Sequence, residues 1–187
     1  MLKNKIGSTI IFAIIQIIML LILALKGRTD YSWSIFVTTG AWIVYTILEV
    51  KFDIKISQYI RIVMMLTLFA DAFFGYYLSL YEKSLVFDKI LHVFGTYSIT
   101  LFFYSLIIKM QNEPLNKIII FIFIVCLGLS IGSVYEILEF IGDNVSHPEP
   151  PNQPSLLDTD LDLIGDLLGA LIAGIHASYR KFISEYF

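Results

Sequence analysis

Long apolar runs alternate with short polar segments along the whole chain. We count six apolar runs, at about residues 6–25, 31–48, 58–80, 87–108, 116–141 and 158–179. Each run is close to the ~20 residues that an α-helix needs to cross ~30 Å of hydrocarbon at ~1.5 Å per residue. The pattern therefore predicts an all-α, polytopic integral membrane protein built as a bundle of six transmembrane helices.

The composition agrees with this prediction. Of the 187 residues, 57% are hydrophobic and 16% are charged, and the mean hydropathy of +0.78 is well above that of a soluble domain. The runs leave no room for a second domain, so we expect residues 1–187 to form one transmembrane domain in the lipid bilayer. The net charge of −3 argues against a nucleic-acid partner, and the single cysteine, Cys126, allows no intrachain disulfide. The first run is too long for a signal peptide and lacks a small-residue cleavage site, so we expect a retained anchor.

The basic residues divide unequally between the two sides of the predicted bundle. Nine lie on the side of the termini, namely Lys3, Lys5, Lys51, Lys55, Arg61, Lys109, Lys117, Arg180 and Lys181. Four lie on the other side, namely Lys26, Arg28, Lys83 and Lys89. By the positive-inside rule, this excess predicts a multi-pass protein of the cell membrane with both termini in the cytoplasm.

Acidic and imidazole side chains recur near the predicted outer ends of the spans, within roughly 12 Å of the surface. These residues are Asp71, Asp88, His92, Glu136, Glu139, Asp158, Asp162 and Asp166. Neighbours on the fourth, fifth and sixth spans are three or four positions apart, so on a helix they face the same direction. Carboxylates are costly in hydrocarbon, and their recurrence at one depth predicts a shared pocket that opens outward.

This set of side chains suits a cation. Oxygen donors with one imidazole nitrogen fit Zn²⁺, Mg²⁺, Mn²⁺, Fe²⁺ or Ca²⁺, and the remote thiol disfavours copper(I) and iron–sulfur centres. The candidate metal ligands are His92, Glu136, Asp162, Asp166 and Asp88. The candidate catalytic residues are Glu139 and Glu136, and the other pocket residues are Asp71 and Asp158. Without a cation, crowded carboxylates of this kind share protons, as in a proton relay.

Several of the acids have simpler explanations. Asp88, Asp158 and Asp160 could cap the N-termini of their helices, because acids are favoured there. Asp71 could simply hydrogen-bond a neighbouring helix. For the other carboxylates these explanations are weaker, because the sequence offers no basic residue inside the spans to pair with them.

The remaining polar residues are expected outside the pocket. We expect Lys89 to face headgroups or water, Glu49 to belong to the cytoplasmic rim, and His176 to lie near the inner end of the last span. The loop 142–155 contains four of the five prolines. It is interpreted either as a cap over the outer end of the bundle or as a stiff solvated linker.

Three motifs in the second half of the chain resemble a known family. The motifs are DKILH at 88–92, YEILEF at 135–140 and DTDLDLIGDLLGALIAG at 158–174. Their order and spacing resemble the YjdF-like family of small bacterial inner-membrane proteins and, more distantly, the VanZ-like family associated with teicoplanin tolerance. Glu139 stands where the VanZ-like pattern has Gln, and the loop before Asp158 contains no Arg at the position that the pattern requires. The resemblance implies that the acids and His92 within these motifs are the family's motif residues, but it implies no reaction.

Three hypotheses for the function follow from these residues. The first is a metal-dependent enzyme acting on a lipid or lipid-linked cell-envelope substrate, with Glu139 as general base. The second is a small proton-coupled carrier or flippase using Asp71, Glu136 and Asp166, although the sequence shows neither internal repeats nor clear helix breaks. The third is a non-catalytic envelope-stress or immunity protein whose acids hold helices together. The substrate, the metal and the oligomeric state stay open at this point.

Overall fold

The computed structural model describes residues 2–54, 56–110 and 115–179, and the regular secondary structure in these ranges is helical. Three residues of the charge count, Lys55, Arg180 and Lys181, lie outside the described residues, as does the side chain of Lys3. The helices confirm the all-α prediction. The orientation of the bundle in the membrane stays a prediction.

Seven α-helices follow one another along the described chain, together with one π-helical and one 3-10 segment. They are α1 (Leu2–Leu25), α2 (Thr29–Lys51), α3 (Gln58–Ala70), the π-helix Asp71–Tyr77, α4 (Leu80–Lys83), α5 (Phe87–Ile107), the 3-10 turn Ile108–Met110, α6 (Lys117–Ser146) and α7 (Leu156–Ser178). Within the same residues, six stretches of helix are long and apolar enough to cross a membrane. These spans are Lys5–Leu25, Tyr31–Lys51, Gln58–Tyr77, Phe87–Met110, Lys117–Ser146 and Leu156–Ser178. The predicted number and order of spans are confirmed.

The fifth span is longer than the sequence pattern predicts. Helix α6 continues to Ser146, whereas the apolar run ends near residue 141. The helix stops at His147, which adopts a left-handed conformation with φ of 46° and is followed by Pro148. The α-helical conformation is disfavoured for a residue that precedes proline. Pro148, rather than the end of the apolar run, therefore sets the end of α6.

The third span changes its helix type, a feature that its apolar run does not indicate. It changes from α-helix to π-helix at Asp71 and ends before Ser79, which has a left-handed φ of 56°. The ring of Tyr81 packs against Gly75 in this segment, where an added Cβ would lie 2.3 Å from the Tyr81 Cε2 atom. The span itself is continuous, since Gln58–Tyr77 forms one membrane-length stretch of helix. Short π-helical segments often occur at functional sites.

Helix α5 lies at the centre of the half of the bundle that contains the acids. It packs against α3, α6 and α7, and α6 also packs along α7. Helices α1 and α2 form a pair that contacts the third span. Because α5 and α7 begin where α6 ends, the predicted pocket residues on these helices meet at one end of the bundle, which we call the acidic end.

Small residues let α7 approach both of its neighbours closely. A Cβ added at Gly169 would lie 2.3 Å from the carbonyl oxygen of Val93 in α5, and one added at Gly128 in α6 would lie 2.5 Å from the Cβ of Ala170. Both distances are shorter than a van der Waals contact, so these backbones can touch only where side chains are absent. The seam fixes the distance between the polar side chains that α5 and α7 direct at each other.

The N-cap position is Ser155 in α7 and Val86 in α5, so neither is an acid. Ser155 is the N-cap of α7 and accepts a hydrogen bond from the backbone N–H of Asp158, while Ser84 accepts from the backbone N–H of Phe87 at the start of α5. Asp88, Asp158 and Asp160 lie inside the helices and are not N-caps, so that explanation is wrong for all three.

Candidate functional site

A lysine ammonium group joins three carboxylates at the acidic end. Lys89 Nζ donates to Asp88 Oδ2 at 3.0 Å, to Asp158 Oδ1 at 2.5 Å and to Asp162 Oδ2 at 2.7 Å. The expectation that Lys89 faces headgroups or water is wrong, and so is the expectation that the acids have no basic partner. The physical reason is the close approach of α7, where a Cβ on Gly165 would lie 3.1 Å from the carbonyl oxygen of Lys89. The lysine side chain therefore reaches the acids of α7 directly.

The helical spacing of α5 contains a signal for this arrangement. Lys89, His92 and Thr96 lie at positions i, i+3 and i+7, and residues at this spacing share one face of a helix. All three contact aspartates of α7. The spacing of Asp88 and His92 alone does not indicate that Lys89 lies on the same face as His92.

The imidazole ring of His92 lies between carboxylates from three helices. Its Nδ1 atom is 3.2 Å from Asp166 Oδ1 and 3.9 Å from Glu136 Oε1. Its Nε2 atom is 3.6 Å from Asp162 Oδ1 and 3.7 Å from Asp88 Oδ1. The structure thus brings together the five residues that we expect to be metal ligands, and His92 is at their centre.

Asp166 lies farther from the acidic end than Asp158 and Asp162 of the same helix, and it is 2% exposed. Its Oδ1 atom accepts a hydrogen bond from the Thr96 hydroxyl at 2.5 Å and also faces His92. Its Oδ2 atom packs on the backbone of α6, where a Cβ added at Gly132 would lie 2.3 Å away. Thr96 and Gly132 are additional site residues, and Gly132 in particular carries no chemical signal in the sequence.

Three buried carboxylate oxygens at the site have no hydrogen-bond donor among the described residues. They are Glu136 Oε1, Asp162 Oδ1 and Asp166 Oδ2, on side chains that are between 1% and 5% exposed. A buried acceptor without a partner loses its hydration without compensation, which costs about 1–3 kcal/mol and more for a charged group. The local structure alone does not account for these oxygens, and a bound cation would.

The donor atoms are close enough to share a cation. Two groups, Asp88 with His92 and Asp162, and His92 with Glu136 and Glu139, each place their ligand atoms within 4.8 Å of one another. Two atoms bound to one cation at ~2.1 Å lie ~3.0–3.5 Å apart at common coordination angles. The distances from His92 to its carboxylates are near this range, so small side-chain movements would close either group around an ion.

The charges at the site are unbalanced. Six carboxyl groups surround one lysine and one imidazole, which are the basic side chains that the described part of the chain places in this cluster. Lys89 is shared among three of the acids. Additional positive charge would therefore stabilise the cluster, because buried carboxylates are favourable only when they are paired.

The proline-rich loop folds back over the acidic end. Gln153 Nε2 donates to the Glu136 carboxylate at 2.8 Å and to the Glu136 carbonyl oxygen at 2.9 Å. The Asp143 carboxylate accepts from the backbone N–H groups of Asn152 and Gln153. These contacts favour the interpretation of the loop as a cap over that of a free linker. Gln153 is a site residue that sequence reasoning missed.

Asp71 belongs to a separate hydrogen bond beside the cluster. Its Oδ1 atom accepts from the Tyr81 hydroxyl at 2.7 Å. Burial, with the nearby Asp71 carboxylate, raises the pKa of Tyr81 well above its usual range, so the hydroxyl stays protonated and can donate. The simpler explanation of Asp71, a hydrogen bond between neighbouring elements, therefore describes its contact.

Two further polar clusters lie away from the acidic end. Glu49, 1% exposed, forms salt bridges with Lys5 at 2.7 Å and with Arg61, so it is a buried residue near the end of α2. His176 Nδ1 is 2.6 Å from the Tyr97 hydroxyl and takes no part in the acidic cluster, as its position in the sequence predicts.

The fold and the site define a class of protein, a polytopic α-helical membrane protein with a buried acid and histidine cluster at one end of its bundle. The chain belongs to the family described as "Predicted membrane protein (DUF2238)", which it matches over residues 8–181. It is also similar to an "Uncharacterized protein" of Thermotoga maritima, with 33% identity over 135 residues that cover 71% of this chain and 68% of the relative. No solved structure matches the chain.

Proposed function

We propose that this protein is a divalent-cation-dependent membrane enzyme that acts on a lipid or lipid-linked cell-envelope substrate. The observation that carries the proposal is the pair of buried carboxylate oxygens, Glu136 Oε1 and Asp162 Oδ1, that face His92 without a hydrogen-bond donor among the described residues. A cluster of acids alone would be weak support. Acceptor atoms that are buried, unpartnered and directed at one imidazole are the additional feature expected of a cation site.

The cation is assigned to the Nδ1 side of His92. Glu136 Oε1, which has no donor among the described residues, and Asp166 Oδ1, which accepts from Thr96, provide the oxygen ligands there. On the Nε2 side, Asp88 and Asp162 already share Lys89, so that side has less need of an ion. Carboxylates facing the second ring nitrogen would orient the imidazole, as they do at many metal–histidine sites.

The chemistry follows from these positions. A cation held by His92, Glu136 and Asp166 would polarise a carbonyl or phosphoryl oxygen and lower the pKa of a bound water. Glu139 lies one turn nearer the acidic end than Glu136 and is half-buried, with a carboxylate oxygen within 4.8 Å of the donor atoms of His92 and Glu136. We assign it as the general base that accepts a proton from that water.

The substrate class follows from the location of the site. The cluster lies inside membrane-spanning helices whose outer faces are apolar, so a substrate with a lipid tail would reach it from the bilayer. The count of basic residues supports an orientation with the acidic end outside and the termini in the cytoplasm. This orientation, together with the narrower resemblance to the YjdF-like and VanZ-like families, stays a prediction.

Metal analysis of the purified protein tests the cation site. We expect about one equivalent of a divalent metal in the wild type after loading with Zn²⁺, Mn²⁺, Fe²⁺, Mg²⁺ or Ca²⁺ in turn, and loss of this metal in Glu136→Gln. Asp162→Asn should weaken binding ~10–100-fold, as changes to outer-shell carboxylates typically do. Asp160→Asn is the matched control, because Asp160 is an exposed acid of the same helix.

Turnover is tested separately with a bacterial polar lipid extract in isotopically labelled water. The proposal expects metal-dependent transfer of labelled oxygen into a lipid product, and loss of this transfer in Glu139→Gln with the metal retained. A folded wild type that binds no metal overturns the proposal. In that case a pH-dependent conformational change would favour the carrier hypothesis, and variants that alter only stability would favour the non-catalytic one.

A further inference from the structure

A groove of about 420 Å³ lies between α1 and α2, at the end of the bundle opposite the acidic end. Its walls are mainly apolar, formed by Ile6, Ile10, Ile43, Ile47 and Val50. We call it the α1–α2 groove. It lies within two candidate membrane spans, so hydrocarbon rather than water surrounds it.

Buried polar groups lie behind the apolar surface of the α1–α2 groove and connect to buried cations. The hydroxyls of Thr9 and Thr46, which line the groove, are 3.1 Å apart, and Arg61 Nη1 donates to the Thr9 hydroxyl at 3.0 Å. Arg61 and Lys5 are both paired with the single carboxylate of Glu49. Both cations therefore lie behind the groove, with the Glu49 carboxylate as a common partner.

A third cation lies at the mouth of the groove. Lys51 lines the groove, is exposed and is the last residue of α2. In the sequence, residues 1–7 and 49–61, which include Lys5, Lys51 and Arg61, contain five basic and two acidic residues. The groove is therefore apolar toward the membrane interior and carries the positive charge of Lys51 at the membrane surface.

This polarity matches one kind of molecule. We propose that the α1–α2 groove binds one acyl chain of an anionic phospholipid, with the lipid phosphate against Lys51. Basic sites between transmembrane helices are known to recognise anionic headgroups, while the apolar walls accept the chain. The site is separate from the acidic end and does not depend on the proposed enzyme activity.

Tryptophan fluorescence offers a direct test, because the chain contains two tryptophans and one of them adjoins the groove. Trp42 precedes Ile43, and its carbonyl oxygen accepts the hydrogen bond of Thr46. Trp33 lies at the other end of α2 and is 66% exposed, so Trp33→Phe leaves Trp42 as the single reporter. The full chain would be reconstituted in vesicles of phosphatidylcholine with phosphatidylglycerol, either of them brominated midway along one acyl chain.

We expect brominated phosphatidylglycerol to quench Trp42 with about fivefold higher apparent affinity than brominated phosphatidylcholine, which corresponds to about 1 kcal/mol for one basic residue near the surface. Lys51→Gln should abolish the preference. Lys117→Gln should keep it, because this change removes an exposed lysine at the start of α6, on the same side of the bundle as the groove. Ile47→Phe should reduce quenching by both lipids, and Ile118→Phe, at another exposed position, should not.

Three results would overturn the proposal. Equal quenching by the two lipids would show that the groove has no preference for an anionic headgroup. A preference that survives Ile47→Phe but not Lys51→Gln would indicate a general surface charge effect without a bound chain. Absence of quenching of Trp42 by both lipids would mean that no acyl chain occupies the groove.

Discussion

The Nζ atom of Lys89 lies 2.7 Å from Oδ2 of Asp162, whose side chain is only 2% exposed. The other oxygen of the same carboxylate faces His92 Nε2 at 3.6 Å. Asp162 therefore connects the lysine to the imidazole, and through them α7 to α5. A charge this deeply buried is stable only while its partner is present.

Lys89→Met is expected to destabilise the protein strongly. The methionine keeps most of the apolar stem but leaves Asp162 and its neighbours without their ammonium partner, and breaking a buried pair in this way costs about 3–5 kcal/mol. Thermal or denaturant unfolding of the purified protein in detergent measures the change. Lys83→Met, at an exposed lysine that bonds the Leu78 carbonyl oxygen, is the control and should change stability little.

A double-mutant cycle separates the ion pair from general packing effects. Asp162→Asn removes the charge that Lys89→Met leaves unpaired, so the double variant should be more stable than the sum of the single losses predicts. Strictly additive losses would mean that Lys89 and Asp162 do not stabilise each other.

Gly169→Ala is expected to force α5 and α7 apart. Its Cβ would lie 2.3 Å from the carbonyl oxygen of Val93, and backbone atoms cannot move aside as a flexible side chain can. Overpacking of this kind costs about 1–3 kcal/mol. We expect a lower unfolding temperature together with loss of bound metal, because His92 and Asp166 face each other across the same seam.

The control for the seam is Gly40→Ala in α2. No atom of the described part of the chain lies within 4 Å of the position that its Cβ would take. Alanine is a better helix former than glycine by about 1 kcal/mol, so this change should leave stability unchanged or raise it. Equal losses at Gly40 and Gly169 would argue against the close approach of α5 and α7.

The sequence predicts the spans well because their main determinant is local. An apolar run of membrane length forms a helix whatever its neighbours are, since backbone groups in hydrocarbon must bond within the segment. The ends of the spans depend on finer features. Helix α6 passes the end of its apolar run and stops at Pro148, and the π-helix at Asp71 accompanies the packing of Tyr81 on Gly75.

The candidate site could be predicted only in part. The convergence of His92, Glu136 and Asp166 follows from their depth along three helices, which the sequence provides. The pairing of Lys89 and the burial of Glu49 depend on how closely and at which angle helices pack. Residues distant in the sequence determine that packing, so it cannot be predicted from a single run of apolar residues.

Glu49→Gln is expected to destabilise the end of the bundle opposite the site without removing metal. It leaves Lys5 and Arg61 close together with no carboxylate between them, a loss of about 3 kcal/mol for a buried pair. The unfolding free energy and the metal content would be measured on the same preparation. Loss of metal in this variant would show that the two buried clusters are coupled, contrary to expectation.

The salt bridge between Arg28 and Glu82 predicts a small dependence of stability on pH. The hydrogen bond from Arg28 lowers the pKa of Glu82 below its usual value of 4.5. The pair therefore stabilises the fold above pH 4.5, and this contribution is lost as the pH falls through the lower pKa of the folded state. Wild type and Glu82→Gln should differ in unfolding temperature at neutral pH and converge in acid. A constant difference at all pH values would contradict the assignment.

Gln153→Ala is expected to release the loop 147–155 from the acidic end. The variant loses both hydrogen bonds to Glu136, so hydrogen exchange in the loop should become faster, while the spans keep their protection. Asn144→Ala is the control, because the described residues show Asn144 bonding only the Phe140 carbonyl oxygen within α6. Metal bound through Glu136 should also dissociate faster, because Gln153 holds the carboxylate oxygen opposite the proposed ligand atom. Unchanged exchange in the loop would mean that Gln153 does not hold it in place.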